Sequence, residues 1–165
     1  METSYEWLPE LEPFEKYGGN WDKYLTIIYE IFKNDFIINK VCFNGQKIGM
    51  KRHPLLKDKE CTFWHIISEG SNEDQRTPDL RRCERIRWPK PSIENCGCDY
   101  IRIWENERKG DKRILIWCVE KDYLVVLAKR SGYILLWTAY IVDRDHQKNK
   151  LNKEYLVYKK ANAAL

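Results

Sequence analysis

The chain has 165 residues, 43% hydrophobic and 13% aromatic with 7 Trp and 10 Tyr, a composition that excludes disorder and allows one sizeable core. No basic-then-apolar leader opens it and no apolar run approaches the roughly 18 residues of a membrane span, so a cytoplasmic protein without membrane contact is expected. The net charge of +4 conceals a division: residues 1–38 hold 3 basic and 8 acidic side chains (net −5), leaving 26 and 17 (net +9) for residues 39–165. Such a body suits a polyanionic partner, although a charge excess also serves plain solubility.

Residues 1–20 mix acids, aromatics, Pro9, Pro13 and Gly18-Gly19 and read as an irregular acidic lead-in. A single α+β domain is expected over 21–160 and a tail over 161–165. With Asn20 as N-cap, Trp21, Tyr24, Leu25, Ile28, Ile31 and Phe32 recur at the spacing of an amphipathic helix. Two β-prone runs then flank Asn44-Gly45, a dipeptide suited to the left-handed φ values of a tight hairpin. KRHPLLKDKE reads as a surface loop, and FWHIIS as either a buried strand or the start of a helix.

In RTPDLRRCERIRW, Thr77 as N-cap and Pro78 at the first helical position predict a helix, stopped by Pro89 and Pro91. On a wheel of about 100° per residue, Arg81, Arg82 and Arg85 share one third of its circumference. From Tyr100 the period becomes two, and YIRIWE, RILIWCVE, YLVVLAKR and YILLWTAYIV predict a four-stranded antiparallel meander. Its central runs are apolar on both parities and need cover on each face. Residues from Asp143 to Lys160 place Leu151, Tyr155 and Tyr158 at helical spacing, for a C-terminal helix.

Cys42, Cys61, Cys83 and Cys118 lie in apolar or periodic segments, as reduced thiols do. Cys96-Gly97-Cys98 is not the C-x-x-C pair of structural zinc sites, and neither a metal nor a cofactor is expected. Phosphate-loop, dinucleotide, zinc-hydrolase and serine-hydrolase signatures are missing, as is an acidic cluster for two-metal chemistry.

Three features remain. His65, between Phe63-Trp64 and Ile66-Ile67, is either a core residue bonded to a carbonyl or a held proton carrier, since imidazole titrates near neutrality. Arg81, Arg82 and Arg85 form either a solvated helix face or a cradle whose mutual repulsion an anion relieves. Thr138 and Tyr140 are expected to point the same way as Leu136 on the last strand, with Trp137 and Ala139 on the other face, and Lys129 lies on the strand before.

The ordered set F-W-H-I-I, R-T-P-D-L-R-R-C-E-R-I-R-W and W-T-A-Y, within residues 40–160, resembles phage-associated members of the barnase–EndoU–colicin–RelE ribonuclease superfamily. The resemblance implies N-terminal helices packed on a four-stranded antiparallel sheet, and a metal-independent, toxin-like endoribonuclease with RNA, tRNA among it, as substrate and a cognate inhibitor protein as a partner to consider. It implies His65 as base or acid, Arg82 and Arg85 as phosphate ligands, and Thr138 as positioner. Arg81, Tyr140, Lys51 and Lys129 would assist in binding. The RNA 2′-hydroxyl would attack its own phosphorus to leave a 2′,3′-cyclic phosphate. A non-catalytic RNA-binding module, or an adaptor using the acidic lead-in as its contact surface, would give the same composition.

Overall fold

Asn20 ends the lead-in by accepting the Lys23 amide through its side chain at 3.0 Å, and helix α1, Trp21–Lys33, follows as its spacing predicts. It buries Tyr24, Leu25, Ile28 and Phe32, and a widened turn over Asn34–Ile38 adds Phe36. The computed structural model describes residues 5–72 and 75–163; residues 1–4 of the lead-in and 164–165 of the tail lie outside them.

Strands β1 (Cys42–Phe43) and β2 (Gln46–Gly49) form the expected hairpin, with φ of 48° at Asn44 and 78° at Gly45. FWHIIS resolves as a helix, α2 (Cys61–Ile67), running directly into the short strand β3 (Ser68–Glu69), which pairs with β4 (Thr77–Pro78). Helix α3 covers only Leu80–Glu84, and α4 covers Pro89–Glu94. The four long strands are β5 (Ile101–Arg108), β6 (Asp111–Cys118), β7 (Tyr123–Arg130) and β8 (Tyr133–Ile141), and α5 (Asp145–Asn162) closes the described chain.

The architecture is α+β, but the sheet differs from the expected one. It has six strands in the order β1-β2-β8-β7-β6-β5, and it is mixed, because β2 runs parallel to β8 through Ile48↔Ile134 and Gly49↔Leu135. The meander β5–β8 is antiparallel throughout. One face carries Ile114, Ile116, Val125, Leu127 and Leu136 against α1, α2, α3 and α4. The other carries Trp104, Leu115, Trp117, Leu124 and Val126 against Leu151, Tyr155 and Tyr158 of α5. Double cover explains why β6 and β7 are apolar on both parities.

Three local expectations change. Asp79, not Thr77, caps α3: its carboxylate accepts the amides of Arg81 and Arg82 at 2.7 and 3.2 Å, while Thr77 and Pro78 are extended. Pro89 opens α4 at its first position, where a missing N–H costs nothing, instead of ending a longer helix. Finally, β8 carries a β-bulge. Leu127 pairs with Leu136 but Val126 pairs with Thr138, so Trp137 is an extra residue and the parity inverts across it. Leu136 and Ala139 therefore face the α1–α4 core, whereas Thr138 and Tyr140 lie on the other face.

The described part of the lead-in, residues 5–20, is folded onto the body. Tyr5 is buried, its hydroxyl donates to the Tyr100 carbonyl, and Trp7 Nε1 donates to the Tyr100 hydroxyl at 2.7 Å. Glu12 is also buried; it takes Arg87 Nη2 at 2.9 Å and the Tyr17 hydroxyl, while Trp88 Nε1 donates to the Pro9 carbonyl.

Candidate functional site: an arginine-lined hollow

Beyond Gly49↔Leu135 the ladder between β2 and β8 ends, and α2 and α3 pack against the remainder of β8. At the end of α2 the carbonyls of His65 and Ser68 need donors. Two guanidinium groups supply them. Arg82 Nη1 lies 2.6 Å from Ser68 O and 3.3 Å from His65 O; Arg76 Nη2 lies 2.6 and 3.2 Å from the same atoms. The β3–β4 pairing brings Arg76 back to that position, and Arg76 Nη1 also donates to Gly70 O at 2.9 Å. Gly70 adopts a φ of +130°, and a Cβ there would meet the Arg76 backbone at 3.3 Å, so the close return of this loop requires glycine.

Thr138 completes the junction. Its hydroxyl lies 3.4 Å from both His65 O and Arg82 Nη1. The preceding Trp137 meets the His65 ring edge to face, with centroids 5.5 Å apart, and has the guanidinium carbons of Arg113 and Arg130 at 5.6 and 5.7 Å from its ring centroid. Tyr140 lies under Arg82, whose guanidinium carbon is 5.1 Å from its ring centroid.

These groups enclose a hollow of about 430 Å³ whose lining includes His65, Arg76, Arg82, Arg108, Arg113 and Thr138, with Trp137 and Tyr140 beside them and no carboxylate among the described residues. Among the described residues Arg108 has no ion-pair partner, and Arg113 reaches its nearest carboxylate oxygen, on Asp111, only at 4.0 Å. Burial pulls the Arg82 guanidinium below its ordinary pKa, while Asp79 and Glu69 act the other way; arginine stays charged across the working range. Burial pushes the Tyr140 hydroxyl up, more than Arg108, Arg82 and Arg113 pull it down, so it stays a neutral hydrogen-bond donor. Arg108 and Arg113, facing this cavity beside Arg76 and Arg82 with no acid among the described residues that line it, suit an anion. Among the described residues no group of three or more His, Cys, Asp or Glu could hold a metal ion, and no helix is long and apolar enough to cross a membrane.

Of the residues expected from the sequence, His65, Arg82, Thr138 and Tyr140 meet here. The others are placed elsewhere. Arg85 follows α3 as its C-cap, pairs with Glu84 at 2.7 Å and lies over Trp88; its backbone has left helical geometry, at φ −98° and ψ 20°, so it shares no helical arc with Arg82. Arg81 pairs with Asp143 at 2.9 Å in an adjoining depression that also contains Arg82 and Tyr140. Lys129 pairs with Glu105 and lines a separate depression with Phe43 and Tyr158. The Lys51 backbone is tied to Thr62 at the start of α2, and Lys51 does not line the hollow. Sequence reasoning missed Arg76, Arg108, Arg113 and Trp137. The first three come from separate strands and loops with no common spacing; only the bulge, absent from any local signal, brings Trp137 and Thr138 to the hollow together.

No family model, curated protein or solved structure matches this chain.

Proposed function

We propose that the hollow binds a phosphate of single-stranded RNA and that the protein is a metal-independent endoribonuclease, as its resemblance to the barnase–EndoU–colicin–RelE superfamily implies. The observation that carries this reading is the convergence of Arg76, Arg82, Arg108 and Arg113 with His65 and Thr138 around one cavity whose described lining residues include no carboxylate. RNA carries its own nucleophile, so the protein need supply only proton transfer, worth about 10²–10⁴-fold, and charge stabilisation of the phosphorane, often the larger contribution. His65 would transfer the proton. Arg108 and Arg113 would meet the phosphate oxygens, since Arg76 and Arg82 already hold the end of α2, and the Tyr140 hydroxyl would donate to a bridging or non-bridging oxygen.

The second reading is a non-catalytic RNA-binding site. It is favoured by one observation, that His65 is 7% exposed and its ring is packed on Trp137, as a wall residue would be. Incubating the purified protein with RNA in EDTA and determining the fragment ends distinguishes the two. The catalytic reading predicts fragments ending in 2′,3′-cyclic phosphate and 5′-hydroxyl; intact RNA that nevertheless binds in the hollow would leave the binding module.

A further inference from the structure

His65 and Arg76 form a wall with two sides. Beyond them from the arginine hollow lies a second pocket of about 360 Å³, lined by Pro54, Leu55, Leu56 and Trp64 with Cys61 and Ser68, within the size of small-ligand pockets. Its rim is apolar yet open: Leu55 and Leu56 are 49% and 56% exposed. The loop that presents them is held in place. Leu56 and Lys59 exchange backbone hydrogen bonds at 3.0 Å across Lys57-Asp58, both at positive φ, and Trp64 Nε1 donates to the Leu56 carbonyl at 3.0 Å. Two exposed leucines on a braced turn thus lie beside an indole and the cationic cavity.

We infer that this pocket takes the base of the nucleotide whose phosphate lies in the arginine hollow. The inference rests on the nucleic-acid reading above and names the part of the substrate that reading leaves open. A nucleotide supplies both halves: an aromatic face for Trp64 and the leucines, and a phosphate for the guanidinium side, joined across the His65–Arg76 wall that the two cavities share. A protein partner could offer an apolar side chain to the same rim, but an anion at a fixed short distance from that side chain is the regular property of a nucleotide. Among the described residues the pocket lining holds no carboxylate. Its polar lining comes from Ser68 and the shared His65 and Arg76, against Pro54, Leu55, Leu56 and Trp64, so apolar contact with the face of the base is the larger part of recognition.

Two probes separate the base from the phosphate: a ten-nucleotide 2′-O-methyl RNA, which lacks the attacking hydroxyl, and inorganic polyphosphate of ten phosphates. The Leu55→Ser/Leu56→Ser variant should bind the RNA about tenfold more weakly, the usual contribution of one stacked base, and the polyphosphate with unchanged affinity. Unchanged RNA affinity in that variant, or equal loss for both probes, would overturn the inference. With the wild-type protein, adenosine monophosphate should displace the RNA at about one tenth of the concentration that inorganic phosphate requires; equal potency would also overturn it, whatever the variant's folding. If polyphosphate binds and RNA binds no better after this comparison, the phosphate hollow stands and the base slot fails. If neither RNA nor polyphosphate binds the wild type, the nucleic-acid reading itself fails.

Discussion

Arg82 reaches Ser68 O, His65 O and the Thr138 hydroxyl from one nitrogen and covers Tyr140 with its plane. It thereby joins α2 and α3 to β8, more than 40 residues further along the chain, while leaving positive charge on the wall of the hollow. A lysine has the charge but not the planar fork, and its point-like ammonium cannot reach those acceptors and stack on a phenol together. Arg82→Lys should therefore lower the free energy of unfolding by about 1–2 kcal/mol and slow RNA cleavage by at least about tenfold. Denaturant melts alongside initial rates check both, and a variant with full stability and full rate would show that Arg82 does neither job. Arg85, its neighbour on the expected arc, faces Glu84 and Trp88, and Arg85→Lys should leave the cleavage rate unchanged.

At the scale of elements, the lead-in behaves as part of the fold, and Glu12 is its anchor. Burial alone would raise the Glu12 carboxyl pKa, but the hydrogen bonds from Tyr17 and Arg87 outweigh it and hold the group below its ordinary value. A carboxylate whose folded pKa is depressed adds stability above its unfolded pKa and loses it as pH falls through the folded one. Glu12→Gln should thus cost about 1–2 kcal/mol at pH 7, a figure kept small because Arg87 is 40% exposed and partly screened. The difference from wild type should close below about pH 4; a difference constant from pH 7 to pH 3 would remove the ionic contribution. Much of the element pattern was legible in the sequence. Asn20 capped α1, Asn44-Gly45 turned the hairpin, and period-two runs with short polar breaks marked β5–β8. The parallel pairing of β2 with β8 was not, since contacts between residues 48 and 134 leave no local trace. Nor was the bulge at Trp137, where a single extra residue reverses parity without a glycine or proline to announce it. The same limit held for the site. His65, Arg82, Thr138 and Tyr140 could be picked by residue type, but Arg108 and Arg113 are strand residues whose neighbourhood only the sheet register defines.

For the whole molecule, the basic excess of residues 39–165 becomes a cavity in one place and ordinary surface in others, where Arg81, Lys129 and Lys148 are paired with Asp143, Glu105 and Asp122. If three or four phosphates are neutralised around the hollow, the logarithm of RNA affinity should fall against the logarithm of salt concentration with a slope of about −2 to −3. A slope near zero would place binding outside the arginine-lined site. The most direct measurement compares wild type with His65→Ala for two quantities on the same single-stranded RNA, the dissociation constant and the rate of single-turnover cleavage in EDTA. Cleavage should fall by at least about 100-fold with affinity held within about twofold. Equal cleavage by the two proteins, or affinity lost in step with cleavage by a variant that still folds, would contradict proton transfer by His65 at this hollow.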